Sequence, residues 1–289
     1  MTAVATPPAA VLPEMHEAEA PPEIAAIYAG LRGAVGVPIV NLIWRHFATL
    51  PGVLPWAWET ARHAIGSAAV AEGSARMAAL VSAAPGPGLS AIGPALRALP
   101  AGERARMAGI VRVYNRGNRA NLQVLSAVRR FLSADSAAGA PRRPSGGGAS
   151  EAPPPVAASM PPLPRMDDLP GAARAEVSAL SALHDPSDPT VPSLYRHLAL
   201  WPAVLPPLRE ALAPRFAEGR IASLRASLLG VAEETAAVLL PRLTPPGPFP
   251  AEHRDAVLRV LAVFPGKLIA EMAAIGLLLD AELSRAETA

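Results

Sequence analysis

Apolar residues recur at helical spacing through most of the chain, and prolines and glycines cut the pattern into pieces. The first predicted helix starts at Pro21-Pro22-Glu23, carries Ile24, Ile27, Tyr28 and Leu31 on one face, and ends at Gly33 or Gly36. A segment from Asn41 to Thr49 follows, then a Pro51-Gly52 turn and a helix from Leu54 to Ser67. Ala75 to Ala84 forms the next helix, closed by Pro85-Gly86-Pro87-Gly88. Ile92 to Leu99 is short, and Ala101-Gly102-Glu103 opens a long helix reaching about Leu132. Beyond a Pro- and Gly-rich interval the pattern resumes. Helices are expected over Ala175–His184, Leu208–Phe216, Ile221–Leu240, Glu252–Val263 and Lys267–Arg285. Alternating β-branched runs are nearly absent, so the fold class is all-α.

One stretch occurs twice. Trp44-Arg45-His46-Phe47-Ala48-Thr49-Leu50-Pro51-Gly52-Val53-Leu54-Pro55 returns as Tyr195-Arg196-His197-Leu198-Ala199-Leu200-Trp201-Pro202-Ala203-Val204-Leu205-Pro206. The register holds from 44 against 195 through to 55 against 206. Near the end of each unit, 112–114 align with 262–264, and Asn121 lies opposite Glu271. The pattern implies two tandem helical repeats forming a pseudo-dimer within one chain, with a cleft between them. The expected units are a flexible arm over 1–20, a first repeat over 21–132, a linker over 133–166 and a second repeat over 167–289. The linker holds Gly146-Gly147-Gly148 and Pro153-Pro154-Pro155, a composition that buries too little apolar surface to order itself.

Composition narrows the chemistry. Hydrophobic residues make up 51% of the 289 positions but aromatics only 4%, so Ala-rich helices are expected to pack closely through small side chains. There is no Cys, which excludes disulfides and thiolate nucleophiles. The net charge of +2 is spread along the chain without a dense basic block, so no nucleic-acid partner is expected. The first residues lack the layout of a signal peptide, and charges or Pro-Gly breaks interrupt the apolar runs. No membrane association is expected, and the placement is cytoplasmic. No cofactor motif or metal-ligand spacing is present, so neither a cofactor nor a metal is expected.

One copy serves as a control for the other. Arg45 matches Arg196 and His46 matches His197, which favours a structural role, with each His satisfied by a carbonyl or a helix end. The contrast lies in Asn115-Arg116-Gly117-Asn118-Arg119-Ala120-Asn121 against Pro265-Gly266-Lys267-Leu268-Ile269-Ala270-Glu271. Asn115, Asn118 and Asn121, three residues apart, are expected to share one helical face and make polar contacts. The alternative is a helix start, with Asn115 or Asn118 as its cap. Asn41 is a second polar outlier, between Val40 and Leu42, and serves either as a cap or as cavity lining. Trp44, Trp56, Trp58, Tyr195 and Trp201 read as core, and Asp185 and Asp188, beside prolines, as turn residues.

At these residues the sequence resembles the group I 2-haloacid dehalogenases. The marks are Val37-Pro38, Arg45, the run Ala48-Thr49-Leu50-Pro51-Gly52-Val53-Leu54-Pro55-Trp56-Ala57-Trp58, Asn115-Arg116-Gly117-Asn118, and Leu198-Ala199-Leu200-Trp201-Pro202. The resemblance implies an all-α pseudo-dimer with its active site between the repeats, typically assembled as a homodimer. It implies hydrolysis of short 2-halocarboxylic acids, in which an Asp activates a water that displaces the halide directly. Asn118 falls on the family's active-site Asn, which helps hold water or substrate. Ile39 and Leu42 fall on aromatic wall positions, Asn121 on a pocket Tyr, and Ser193 on the Ser preceding the catalytic Asp. The catalytic Asp itself falls on Leu194, and Asp188, in the loop before Ser193, is the remaining candidate base. Two expectations follow: a hydrolase acting on a small carboxylic acid, or a non-catalytic binding or interaction scaffold that keeps the cleft. A third is another small-molecule enzyme using Arg45 or His46.

Overall fold

A computed structural model of the chain describes residues 12–84, 86, 88–135, 160–187 and 190–288. The first half contains α1 (Pro22–Val35), α2 (Leu42–Phe47), α3 (Val53–Ile65), α4 (Ala68–Ala83), α5 (Gly93–Ala98) and α6 (Ala101–Asp135). The second contains α7 (Gly171–Ala182), α8 (Ser193–Leu198), α9 (Leu205–Ala217), α10 (Arg220–Leu239), α11 (Arg254–Val263) and α12 (Ala270–Thr288). No strand occurs among the described residues, and the chain is all-α.

Local chemistry sets these boundaries. Helix α1 places Pro22 in its first turn, where a missing N–H costs nothing. It runs past Gly33 to Gly36, which takes the left-handed conformation at φ 71° and donates its N–H to the Arg32 carbonyl. Helix α4 begins at Ala68, earlier than the expected Ala75, because the alanines ahead of it propagate a helix well. Helix α6 runs unbroken through Asn115–Asn121, so no asparagine there caps a helix start.

The break expected at Pro265-Gly266 is instead a widened turn. Phe264–Ile269 forms a π-helical segment that joins α11 to α12. Pro265 has no N–H and would clash in a regular α-ladder, and the looser π turn accommodates its ring without ending the rod. Residues 251–287 thus form one helical rod of mean hydropathy 1.7 over its most apolar window. By length and composition alone it could cross a membrane. Within the fold 61% of that window is buried by protein, the pattern of a central core helix.

Helix α6 and this rod lie at the centre, and α6 on α12 is the broadest helix–helix contact, followed by α10 on α6 and on α4. Both hydrophobic cores draw on both halves. One combines α1–α4 with Leu122–Leu132 of α6, Leu228–Leu239 of α10 and Phe264–Ala274. The other combines α7–α9 with Leu89–Leu96, Met107–Tyr114 of α6 and Met272–Ala286. The halves therefore interlock along α6 and the rod.

Local bonding around α2 and α8 runs in parallel. Trp44 N–H donates to the Asn41 carbonyl and Tyr195 N–H to that of Pro192; Ala48 N–H donates to Trp44 and Ala199 N–H to Tyr195. Thr49, Leu50 and Val53 are matched bond for bond by Leu200, Trp201 and Val204. The two halves differ at the aligned positions Asn121 and Glu271. In the first, the Trp44 indole donates to Asn121 Oδ1 at 2.7 Å. In the second, Tyr195 Oη lies 2.9 Å from His184 Nε2, and His184 Nδ1 lies 2.7 Å from Glu271 Oε2. Arg225 Nη1 donates to the other Glu271 oxygen at 2.6 Å.

The described part of the expected arm is docked rather than loose. Residues 12–20 lie against α1 and α2 because their carboxylates and carbonyls find partners there. Glu14 pairs with Arg45 at 2.5 Å and Glu17 with Arg32. Met15 N–H donates to the Arg45 carbonyl, and Tyr28 Oη donates to the Met15 carbonyl at 3.0 Å. The end of the expected linker behaves likewise: Arg196 Nε donates to the Pro164 carbonyl at 2.8 Å. Leu12-Pro13-Glu14-Met15 and Leu163-Pro164-Arg165-Met166 stand in the same offset as the repeated stretch. Residues 1–11 and 136–159, expected as arm and linker, lie outside the described residues.

Glu271→Ala removes a buried acceptor from both His184 and Arg225. The expected loss is about 3 kcal/mol of unfolding free energy, read from urea denaturation. Glu271→Gln, which keeps an acceptor oxygen, is expected to lose less.

Candidate functional site

A cavity of about 390 Å³ opens where α2 and α8 approach α6 and the π turn. Two extended segments border it, a strap at residues 12–19 held by Arg45 and His46 and a second at residues 160–166 held by Arg196 and His197. Its walls are mainly apolar: Ile39, Leu42, Leu194, Phe264, Leu268 and Met272 line it, with Met160, Pro161, Pro162 and Leu163 from the second strap. The polar lining comprises Glu17, Asn41, Arg45, Tyr114, Asn118, Thr190, Ser193 and His197.

The amides meet at the wall. Asn41 Nδ2 donates to Asn118 Oδ1 at 3.1 Å. Asn41 precedes α2 but makes no side-chain cap bond, so its amide serves the cavity and not the helix end. Gly117 makes this approach possible: a Cβ there would stand 2.9 Å from Asn41 Oδ1. Asn118 is 7% exposed, and its Nδ2 is left to hold a water or ligand.

The three asparagines do not share a face. Three residues advance a helix about 300°, so each step falls back about 60° and the outer two point about 120° apart. Asn115 Nδ2 donates across the seam to the Gly276 carbonyl at 3.0 Å, Asn118 faces the cavity, and Asn121 accepts from Trp44. Asn121, expected in the pocket, is a buried support for Trp44 outside the lining. Ile39, Asn41, Leu42, Ser193 and Leu194 all stand in the lining. Leu194 is 1% exposed, an aliphatic group where the resemblance puts a carboxylate. Asp188 lies outside the described residues.

Sequence reasoning missed Glu17 and Tyr114. Glu17 sits in the strap, and both its oxygens are engaged: Oε1 accepts from Val40 N–H at 3.1 Å and Oε2 pairs with Arg32. Tyr114 Oη is 2.7 Å from His197 Nδ1. The one available signal was its partner in the other copy, Phe264, which lacks the hydroxyl.

Both repeated histidines touch a backbone carbonyl, His46 Nδ1 to Pro13 at 2.8 Å and His197 Nε2 to Pro161 at 3.1 Å. Burial pushes each below the ordinary histidine value of 6.5, with the carbonyl contacts opposing. For His197 the neighbouring Arg196 adds to the depression. Burial raises the Tyr114 phenol, and Arg45 and Arg196 partly offset this. Arg196 is itself lowered chiefly by burial; it feels Glu14 in one sense and Arg45 and Arg165 in the other. The charged groups in the lining itself are Arg45 and Glu17. No group of three or more His, Asp or Glu suited to a metal occurs among the described residues.

No family model and no curated protein matches the sequence. Solved structures of D-2-haloacid dehalogenase share the fold. A mutant in complex with D-2-CPA matches at TM-score 0.69 and 16% identity, covering 96% of this chain and 99% of that one. Another mutant structure matches at TM-score 0.70 and 16% identity with the same coverage. A complex with L-LA matches at 0.67 and 17%, covering 97% of this chain and 100% of that one. The chain has a haloacid dehalogenase-like all-α fold.

Proposed function

We propose that the seam cavity binds a short 2-halocarboxylic acid and that the chain is a hydrolase of the 2-haloacid dehalogenase type, displacing halide by direct attack of water. The carrying observation is the Asn41–Asn118 amide pair set in a mainly apolar wall. Amides hold a water or a carboxylate without ionising, and the aliphatic lining suits a small side chain and a halogen. The dehalogenase complexes with D-2-CPA and L-LA support the choice of ligand. The group I assignment and a homodimer belong to the same proposal.

Leu194 favours a second reading, a binding protein without turnover. A hydrocarbon side chain takes no proton, and loss of a general base costs about 10²–10⁴-fold in rate. The base, if the chain turns over, must come from another residue.

Halide release from racemic 2-chloropropionate separates the two readings, with calorimetry reporting binding. The expected outcome is release by the wild type and loss of both release and binding in Asn118→Ala. Binding without release at high protein concentration selects the second reading; neither binding nor release removes both. A subtler variant is Gly117→Ala. Its methyl displaces Asn41, costing a hydrogen bond worth about 1 kcal/mol, while helix propensity returns about 1 kcal/mol. Tm should stay near the wild-type value while affinity for 2-chloropropionate falls about tenfold. Unchanged affinity would detach Asn41 from the ligand site.

A further inference from the structure

Asn41 and Asn118 can hold a water, but an amide does not take its proton. Glu17 accepts from Val40 N–H and pairs with Arg32. The other proton acceptor in the lining is the Tyr114–His197 pair, and it stands on the same helix as Asn118.

Tyr114 precedes Asn118 by four residues on α6, so the two stand one turn apart on the same face. Both line the cavity. The hydrogen positions of the pair follow from its contacts. A carbonyl only accepts, so His197 Nε2, at 3.1 Å from the Pro161 carbonyl, carries the ring hydrogen. In the neutral ring Nδ1 then holds the lone pair, and Tyr114 Oη–H donates to it at 2.7 Å. The Ser193 side chain also bonds the Tyr114 oxygen, which leaves one lone pair for a donor in the cavity.

The other half of the chain shows what packing alone requires. Phe264 occupies the matching position and lines the same cavity without a hydroxyl. His46 meets the Pro13 carbonyl, which already satisfies a buried imidazole at this place in the fold. The phenol-to-imidazole bond is an addition confined to one side of the seam.

We propose that Tyr114, backed by His197, is the general base of the seam cavity and takes the proton of a water held by Asn118. This rests on the hydrolytic reading above. The water oxygen forms a bond to C2 of the acid as the C2–halogen bond breaks and its electron pair leaves with the halide. One water proton passes to Tyr114 Oη while the Tyr114 proton passes to His197 Nδ1. The products are the 2-hydroxy acid, a halide ion and a His197 imidazolium, which returns its proton to solvent. Tyr114 touches the reacting water and is the catalytic residue; His197 acts through it.

The surroundings suit this transfer. Burial keeps the phenol protonated, so its proton leaves only as another arrives. The charged groups facing the pair are Arg45 from the first half and Arg196 from α8, with the Pro161 and Ser193 carbonyls beside the ring. Burial and Arg196 keep His197 neutral near pH 7, with Nδ1 able to accept. Protonated His197 accepts nothing, so activity must fall as pH drops through the depressed value, below 6.5.

The test is steady-state halide release from racemic 2-chloropropionate between about pH 4.5 and 9, with calorimetric binding, for wild type, Tyr114→Phe and His197→Gln. Tyr114→Phe keeps the ring and reproduces the residue already present at 264, so it should fold. The expected result is a kcat about 10²–10⁴-fold lower in both variants with KM changed less than about threefold, and a wild-type acid limb below pH 6.5. Turnover by Tyr114→Phe at the wild-type rate overturns the base and leaves the hydrolytic reading standing. Ligand binding without release by the wild type overturns the base and turnover together, leaving a binding protein. Absence of both binding and release removes the function on which the base rests.

Discussion

Two long helices meet in the middle of this molecule, and the polar groups between them must find partners across the join. A buried donor or acceptor left unpaired costs about 1–3 kcal/mol. Across it Asn115 reaches the Gly276 carbonyl and Arg112 reaches Asp280, while Asn121 takes the Trp44 indole on α2 and Glu271 gathers His184 and Arg225 on the far side of the rod. Sliding α6 along the rod by one residue would break several of these at once. The register they fix is what sets Tyr114 and Asn118 at the cavity wall. Packing alone would be less selective here, since the Ala-rich faces offer many near-equivalent positions.

The cavity is closed by chain rather than by helix. Residues 12–19 and 160–166 run as two straps over α2 and α8, each held by the Arg-His pair of the repeated stretch. Arg45 and Arg196 thus have one architectural task, and His46 and His197 another. The halves then diverge in the residues the straps expose. One strap offers Glu17, and the other an apolar run from Met160 to Leu163.

Much of this was legible in the sequence. The all-α class followed from spacing; Asn41 stood out as an amide between Val40 and Leu42, and Asn118 as an amide opposite Leu268 of the second repeat. Leu194 was placed in the cavity by the family resemblance, on the position of the catalytic Asp. Other features were hidden for physical reasons. Pro265-Gly266 reads as a helix break because a π turn has no composition of its own. Asn121 looked like lining because a three-residue spacing approximates a helical face over one step and departs from it over two. Tyr114 reads as one more aromatic on an apolar stripe, and only Phe264 opposite hints that its oxygen matters. Glu17 and Pro161 lay in stretches whose composition suggests no packing. They dock because a few specific bonds suffice, and residue composition does not record those bonds.

The strap at residues 12–19 also changes how the molecule can be handled. Pro13 and Glu14 brace His46 and Arg45, and Glu17 forms part of the ligand wall. Trimming the amino end past Leu12 for expression, or fusing a bulky tag close to it, would rebuild one side of the binding site while the helical frame stayed whole. Apparent differences in ligand preference between such preparations would then report on the cloning boundary and not on the cavity.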